Sequence, residues 1–464
     1  MLLWMNISKR VSITSLIIIM LLAACGRAST GNVSPAINLT DMNSTAQSAA
    51  VTLFAQTMAP TLTTTVTPTN TPQPTPTALP FKALDGLRVV YTNSKGNLYV
   101  QDSGKSAIQL TYNGANRQPL FSDDGQKIIF YGPGKPNFNS VYAINADGTN
   151  EQVLITREIL SAFGKVYDEL TVLVSLAFVP GTHLLLFNTY QPNNYDPETV
   201  GWLPLVGNDL FAVNTDTGKI KQLKAPWQGG KFLAAPNGKW IAVQTLDHID
   251  IIDVQGQIIH RNLVTYDKTE AHVIIPMSWT IDAQELIILP SDIPLMAGVP
   301  VARDIWRYRV NSGLGTQIKL TPPVTYDKYA VSPDGNWIAY SYDMAYLNPQ
   351  TTNGVYLGNL RDGSSQLLHT PQPNENTALF DVPLYHDGWS PDSVSFIVHD
   401  GNFRLFIGNI HGEIVPIGSS RGIEVSGWID NKHFLRKDGV LYELGKQELF
   451  QVMNYLESFV FLGH

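Results

Sequence analysis

The feature that most constrains this chain is a phrase that recurs along it. At Tyr329–Tyr342 it reads YAVSPDGNWIAYSY: a few apolar residues, a Ser-Pro-Asp-Gly turn, then an alternating apolar run. Pro333 presets φ at the first turn position, Asp334 can bond its own backbone, and Gly335 takes positive φ without steric cost, so the chain reverses within a few residues. The phrase predicts a β-hairpin. Related windows begin at Pro119, Leu176, Phe232, Met277, Asp387 and, one residue shorter, Ser426, making seven copies. Their third positions are Phe121, Phe178, Ala234, Trp279, Val331, Trp389 and Trp428, mostly large and apolar, as one core position sampled repeatedly should be. Repeats of roughly 40 to 58 residues built from several strands predict a propeller or a similar array.

Each hairpin is followed by a second one: an apolar strand, a turn rich in Asp, Asn and Gly, and another strand. Examples start at Ser140, Asp209, Gly354 and Arg404, with weaker copies at His248–Val264 and Asp304–Thr321 and two more at Asn97–Thr111 and Gly439–Gln451, eight in total. Joined, the two hairpins give four antiparallel strands, A to D, the meander of a propeller blade. The counts differ by one because Leu87–Thr92 supplies a strand B with no strand A before it, while a spare apolar run, Leu456–Leu462, follows the last unit. A closed ring can use that run as the innermost strand of the first blade, leaving no open edge. The expectation is all-β: eight four-stranded antiparallel blades, or seven if Ser426–Gln451 is not a full blade, preceded by a disordered Thr/Pro-rich linker.

A chain of 464 residues, 44% apolar and 15% charged, would ordinarily suggest two or three domains. Repeats that bury their faces only against neighbours count instead as one folding body. The net charge of -8 and pI near 5.7 give no basic field for nucleic acid.

Lys9 and Arg10 precede an apolar stretch, Val11–Leu22, too short to span a bilayer but of the length of a secretory signal core. The following Leu22-Ala23-Ala24-Cys25-Gly26 resembles the bacterial lipobox, which implies acylation of Cys25, the sole cysteine, with diacylglycerol. Residues 26–80 are dominated by Ser, Thr, Ala, Asn and Pro and end in the Thr-Pro tract Thr57–Pro80. Such a segment cannot offset its ordering entropy and leans towards extended polyproline II, a spacer in which the Thr-Pro tract alone reaches roughly 70 Å. The expected organisation is a lipoprotein signal peptide at 1–24, a lipid-anchored linker at 25–83 and a propeller at 84–464. Its place would be the cell envelope, on the outer side of the cytoplasmic membrane, at the cell surface or in the periplasm.

The repeated S-P-D-G followed by a W/K-I-A/I-Y/F strand resembles the WD40-like Pd repeats of TolB-type propellers, also found in the propellers of prolyl oligopeptidases. The resemblance covers roughly Leu87 to the carboxyl terminus and implies fold more than function. The chain lacks the α/β amino-terminal domain that precedes the propeller in TolB, and Asn237, Asp282 and Asp430 stand in windows that depart from the full motif.

In an up-down-up-down blade, A–B and C–D turns emerge on one face, and B–C loops and D–A links on the other. The tight turns all belong to the first face. The long excursions, at Tyr131–Ser140, Tyr190–Asn208, Pro290–Arg303, Tyr342–Gly354, Arg157–Leu173 and Pro371–Pro383, all belong to the second. One-sided insertions on a repeat scaffold mark a working face. Candidate binding residues there are Phe138, Tyr190, Tyr195, Asp196, Trp202, Tyr342, Asp343 and Tyr346, rigid rings and polar groups suited to a sugar face or an extended peptide. The bland alternative is that these rings pack the long loops onto the blades.

Catalytic signals are sparse. Gly418-Ser419-Ser420-Arg421-Gly422 matches G-x-S-x-G but falls in a link between strands, where no nucleophile elbow forms. Gly132-Pro133-Gly134-Lys135 lacks phosphate-loop spacing, and no HExxH or D-x-D-x-D-G loop occurs. His386-Asp387 and His399-Asp400 could converge on the channel, whereas Asp124, Asp334 and Asp392 have a sufficient role in closing hairpins. No catalytic residue, metal or cofactor is assigned. The sequence points first to an exported, lipid-anchored scaffold that binds a protein, peptide or glycan through its long-loop face. Alternatives are a propeller enzyme of lyase, lactonase or hydrolase type with a channel-mouth site, and a structural part of an envelope assembly.

Overall fold

The computed structural model describes residues 86–135, 138–164, 167, 171–190, 208–245, 247–265, 272–292, 301–302, 304–324, 329–342, 351–370, 388–399, 404–419, 425–436, 440–446, 450–451 and 458–462. These form an eight-bladed β-propeller of four-stranded antiparallel blades. Cys25 and the Thr/Pro-rich stretch lie outside the described residues.

The hairpin phrase folds as its residues dictate. In blade 6, Tyr329–Val331 pairs with Trp337–Tyr342, followed by Gly354–Asn359 and Ser365–His369. Ser332 Oγ donates to Asp334 at 2.6 Å and accepts from the Trp337 amide at 2.9 Å, while Asp334 also accepts from the Asn336 amide. The same knot recurs as Ser122–Asp124, Ser390–Asp392 and Thr280–Asp282, each at 2.6 Å. The turn aspartates therefore close hairpins. Gly335 sits at φ 69°, and the equivalent Ala283 and Ser393 are held at 55° and 63°, a conformation that favours glycine. Ser393 offsets that strain by accepting the Asp334 amide of the preceding blade on its hydroxyl.

Closure is the expected one. Ser458–Leu462 pairs antiparallel with Arg88–Thr92, Val460 opposite Val90, to give the first blade the order Ile108–Gln109, Leu98–Asp102, Arg88–Thr92, Ser458–Leu462. In blade 7 the described strands are Ser395–His399, Arg404–Asn409 and Ile414–Ser419, with a Trp389–Phe396 bridge marking the inner position. Blade 5 gains an extra short strand, Val301–Ala302, on its Glu285–Asp292 strand.

The core lies in the seams. Val331, Ile338 and Tyr340 of blade 6 pack with Ile287, Ile305 and Ile318 of blade 5. Leu186 and Leu210 of blade 3 pack with Ile241 and Ile252 of blade 4. Neither sheet buries its faces without its neighbour, so the ring is one cooperative body. The third position of the repeat is the anchor: Phe121, Phe178, Trp279, Val331, Trp389 and Trp428 are all buried. Three of them do more than fill space. The indole N–H of Trp279 donates to the Leu233 carbonyl at 3.1 Å, that of Trp389 to Ala330 at 2.9 Å and that of Trp428 to Gly388 at 3.3 Å. Each acceptor is the second position of the preceding blade's phrase, so one bond recurs at three seams.

Candidate functional site

On the tight-turn face, charged groups fasten blades to one another. Arg88 pairs with Asp102 of its own blade at 2.5 Å and donates to the Gly125 carbonyl of blade 2. Arg307 grips Glu285 with Nε and Nη2 and spends Nη1 on the carbonyls of Gly335 and Leu360 in blade 6. Beside it opens a cavity of about 680 Å³, lined by Arg309, Asn311, Asn336 and Arg361 among others. A second cavity, of about 630 Å³, includes Arg88, Lys127, Asp147, His183 and Asp216 in its lining. His183 lies between two carboxylates, Nδ1 to Asp216 at 2.8 Å and Nε2 to Asp124 at 3.0 Å. Burial opposes charge on this ring, but the hydrogen bonds and attraction of the two aspartates outweigh it and raise its pKa. Among the described residues, no group of three His, Cys, Asp or Glu side chains is placed to hold a metal ion.

The long-loop ends are built differently. The D–A link after blade 2 begins as a short helix, Arg157–Ser161, capped by Thr156, whose hydroxyl accepts the Ile159 amide. The link then lays Phe163 and Tyr167 edge-on against Phe211, which itself stacks on Phe187. Tyr167 accepts from Gln222 at 2.6 Å, and burial together with nearby Asp209 pushes its phenol far above its usual range. Asp209, fully buried, takes the Thr189 amide at 2.7 Å and hydroxyl at 2.6 Å. These rings pack the link onto blade 3.

Next to Asp209 the pattern breaks. Asn208 is 1% exposed, yet among the described residues neither its side-chain oxygen nor its nitrogen has a hydrogen-bond partner. Its backbone carbonyl accepts the Gly229 amide, and Asn188 donates to the Gly230 carbonyl at 2.9 Å, so the segment leading into blade 4 is pinned against blade 3. Any side chain at Gly229 would collide with the Asp209 carbonyl. Lys231 follows, half-buried, with its ammonium pKa lowered by that burial. Gln244, whose amide donates to the Lys231 carbonyl, is buried with its side-chain oxygen unbonded among the described residues. Lys231 and Gln244 extend the register of Phe232 with Val243, so their side chains share the blade face of Leu233. Asn208 shares the parity of Leu210 and Ala212 and looks across the other seam, towards blade 3's neighbour Ile241. Buried amides with unused bonds are costly unless something completes them.

The expected site residues fall unevenly. Tyr190 ends strand Leu184–Tyr190 at this long-loop end, opposite Val172. Phe138 is not on a loop: Lys127–Lys135 and Phe138–Asn145 continue their pairing outward, with Lys135 opposite Phe138, so the excursion is a lengthened ladder. Tyr342 is 4% exposed and packs in the core between blades 5 and 6, because it continues strand Trp337–Tyr342 rather than starting the loop. Tyr195, Asp196, Trp202, Asp343 and Tyr346 lie outside the described residues, as do His386, Asp387 and Asp400. Gly418 and Ser419 complete a strand, Ile414–Ser419. Sequence reading passed over Asn208, Lys231, Gln244 and His183; the available signal was polar residues abutting strand ends, which any surface loop also supplies.

No protein-family model matches the chain, and no curated protein matches its sequence. Among solved structures it is similar to Porphyromonas gingivalis dipeptidyl peptidase 4, at 10% identity over 79% of this chain and 58% of that one, TM-score 0.52. It is also similar to the dihydro-heme d1 dehydrogenase NirN, at 14% identity over 81% and 74%, TM-score 0.50. TolB from Acinetobacter baumannii matches at 14% identity over 70% and 77%, TM-score 0.33. At such identities the likeness is one of fold alone, and the chain's own strand pairing makes it an eight-bladed β-propeller.

Proposed function

We propose that the protein is a lipid-anchored binding scaffold of the cell envelope, held through diacylglycerol on Cys25, that engages a protein, peptide or glycan by its long-loop face. The observation that carries this reading is the contrast in spent bonds. Turn aspartates and His183 on the tight-turn face are committed to hairpins and seams. At the long-loop ends, by contrast, the buried amides of Asn208 and Gln244 retain unbonded atoms. Amides with vacant hydrogen-bonding capacity, beside rings such as Tyr190, give directional recognition without chemistry.

The test is capture of ligands by the folded unit from Leu84 onward, using a glycan array alongside envelope protein extracts. Binding is expected to weaken at least tenfold in Asn208→Leu or Tyr190→Ala and to survive Arg309→Ala on the opposite face. Retention through the first pair and loss with Arg309→Ala would transfer the site to the tight turns. Turnover of a bound saccharide or peptide would replace the scaffold reading with an enzyme. Metabolic labelling with a fatty acid, lost in Cys25→Ala, tests the anchor.

A further inference from the structure

At the contact between blades 2 and 3 on the tight-turn face, four ionisable groups form a square whose geometry suits only one protonation state. His183 stands on blade 3 and uses both ring nitrogens on carboxylates, Nδ1 on Asp216 of its own blade and Nε2 on Asp124 of blade 2. Lys127 of blade 2 closes the square on Asp216 at 3.0 Å and on Asn145 at 2.7 Å, its side chain only 8% exposed. A neutral imidazole has one N–H and one lone pair, so it can satisfy one carboxylate only; an imidazolium has two N–H groups and satisfies both. With the ring charged, Asp124, Asp216, Lys127 and His183 sum to zero.

We propose that His183 is a pH-sensitive latch between blades 2 and 3: as an imidazolium it donates to Asp216 and Asp124 together and draws the blades shut, and on losing its proton it releases one of them. The other charged groups facing it set the direction of the response. Asp123 of blade 2 accepts the Gly181 amide of blade 3 at 2.6 Å, and Asp147 lines the same cavity. Arg88 reaches that cavity from blade 1 but is already held by Asp102. A proton lost from His183 therefore leaves the contact negative, with Lys127 as the remaining cation on the square.

The direction of the linkage follows. The ring's folded pKa is raised above its ordinary value of about 6.5, so its contribution is fully present below that value and is lost as pH rises through the folded pKa. Asp124 and Asp216 are lowered: burial opposes this, and hydrogen bonds, including those from His183, outweigh it. Their share is lost only when acid protonates them. The latch is tightest between the two limits and slackens on the alkaline side.

The experiment uses the full-length chain with 13C-labelled histidine, the His183 ring resonance being assigned by its absence in His183→Gln. The expected midpoint lies above that of an exposed histidine and falls back in Asp124→Asn. Hydrogen exchange of the Gly181 and Thr215 amides, corrected for base catalysis, is expected to lose at least tenfold protection as pH rises through the midpoint. In His183→Gln that protection is expected to be low and independent of pH. A midpoint at or below that of an exposed histidine would overturn the latch. So would protection that falls with pH equally in wild type and His183→Gln, which a purely structural contact predicts. Should His183→Gln not fold, Asp124→Asn carries the same comparison through the same two readouts.

Discussion

Two stretches of the ring solve the same problem with different chemistry. Between blades 1 and 2, 2 and 3, and 3 and 4, the seams are fastened by charge: Arg88 to Gly125, His183 and Lys127 across to their aspartates, and Lys224 to the buried Asp250 at 3.1 Å. Between blades 4 and 5, 6 and 7, and 7 and 8, they are fastened by the indoles of Trp279, Trp389 and Trp428. The division follows from the third position of the repeat. Where it holds Phe121, Phe178 or Ala234 there is no ring N–H to donate, and charged side chains cross the seam instead, Arg88 to a carbonyl and His183, Lys127 and Lys224 to carboxylates. A neutral bond under a buried ring feels salt and pH little, while an ion pair at a turn feels both. The lesson is that geometric equivalence among blades does not bring equal response to the medium.

The largest effect should come from the tryptophan side. Trp389→Ala removes a ring that is 1% exposed and packed on Phe396, and is expected to cost about 3–5 kcal/mol in a denaturant titration. Next is the blade 5 to blade 6 seam, where charge has intruded into the tryptophan half. Arg307→Met leaves Glu285 with Arg309 alone and two carbonyls without their donor, and is expected to cost about 2–3 kcal/mol, with the loss concentrated in blades 5 and 6 by hydrogen exchange. Trp279→Phe, Trp389→Phe and Trp428→Phe keep most of the packing and delete one bond each, about 1 kcal/mol apiece, with no dependence on salt. The smallest effect is expected from 1 M salt on the wild-type chain, where the screening length falls to about 3 Å. Amides beside Arg88 and His183 should lose protection there while those beside Trp389 and Trp428 hold. Equal loss on both sides would erase the distinction.

Much of the fold was legible because the repeat states it several times. The turn chemistry of Ser332, Asp334 and Gly335, the anchor role of the third position and the pairing of the tail with Arg88–Thr92 all follow from local rules applied to each copy. The seams were less legible. His183 occupies a turn position held elsewhere by Gln126, Lys239, Gln284 and Asn336, where any polar residue would pass unnoticed. Its meaning depends on Asp124 in the neighbouring blade, far away in sequence. The seam position of Tyr342 was hidden for a related reason: an aromatic ring at a strand end can turn to the loop or to the seam, and only the adjacent blade, through Ile287 and Leu289, decides. Asn208 was invisible because an unsatisfied amide has no sequence signature.

The pairing of Val90 with Val460 also imposes an order of events on biosynthesis. Blades after the first can assemble as they emerge, but the first waits with one bare edge until nearly the whole ring has been made. A product stopped short of Ser458 would present Arg88–Thr92 as an unpaired template for any passing strand. The topology thus works as a length check: only a chain that reaches Ser458 covers that edge.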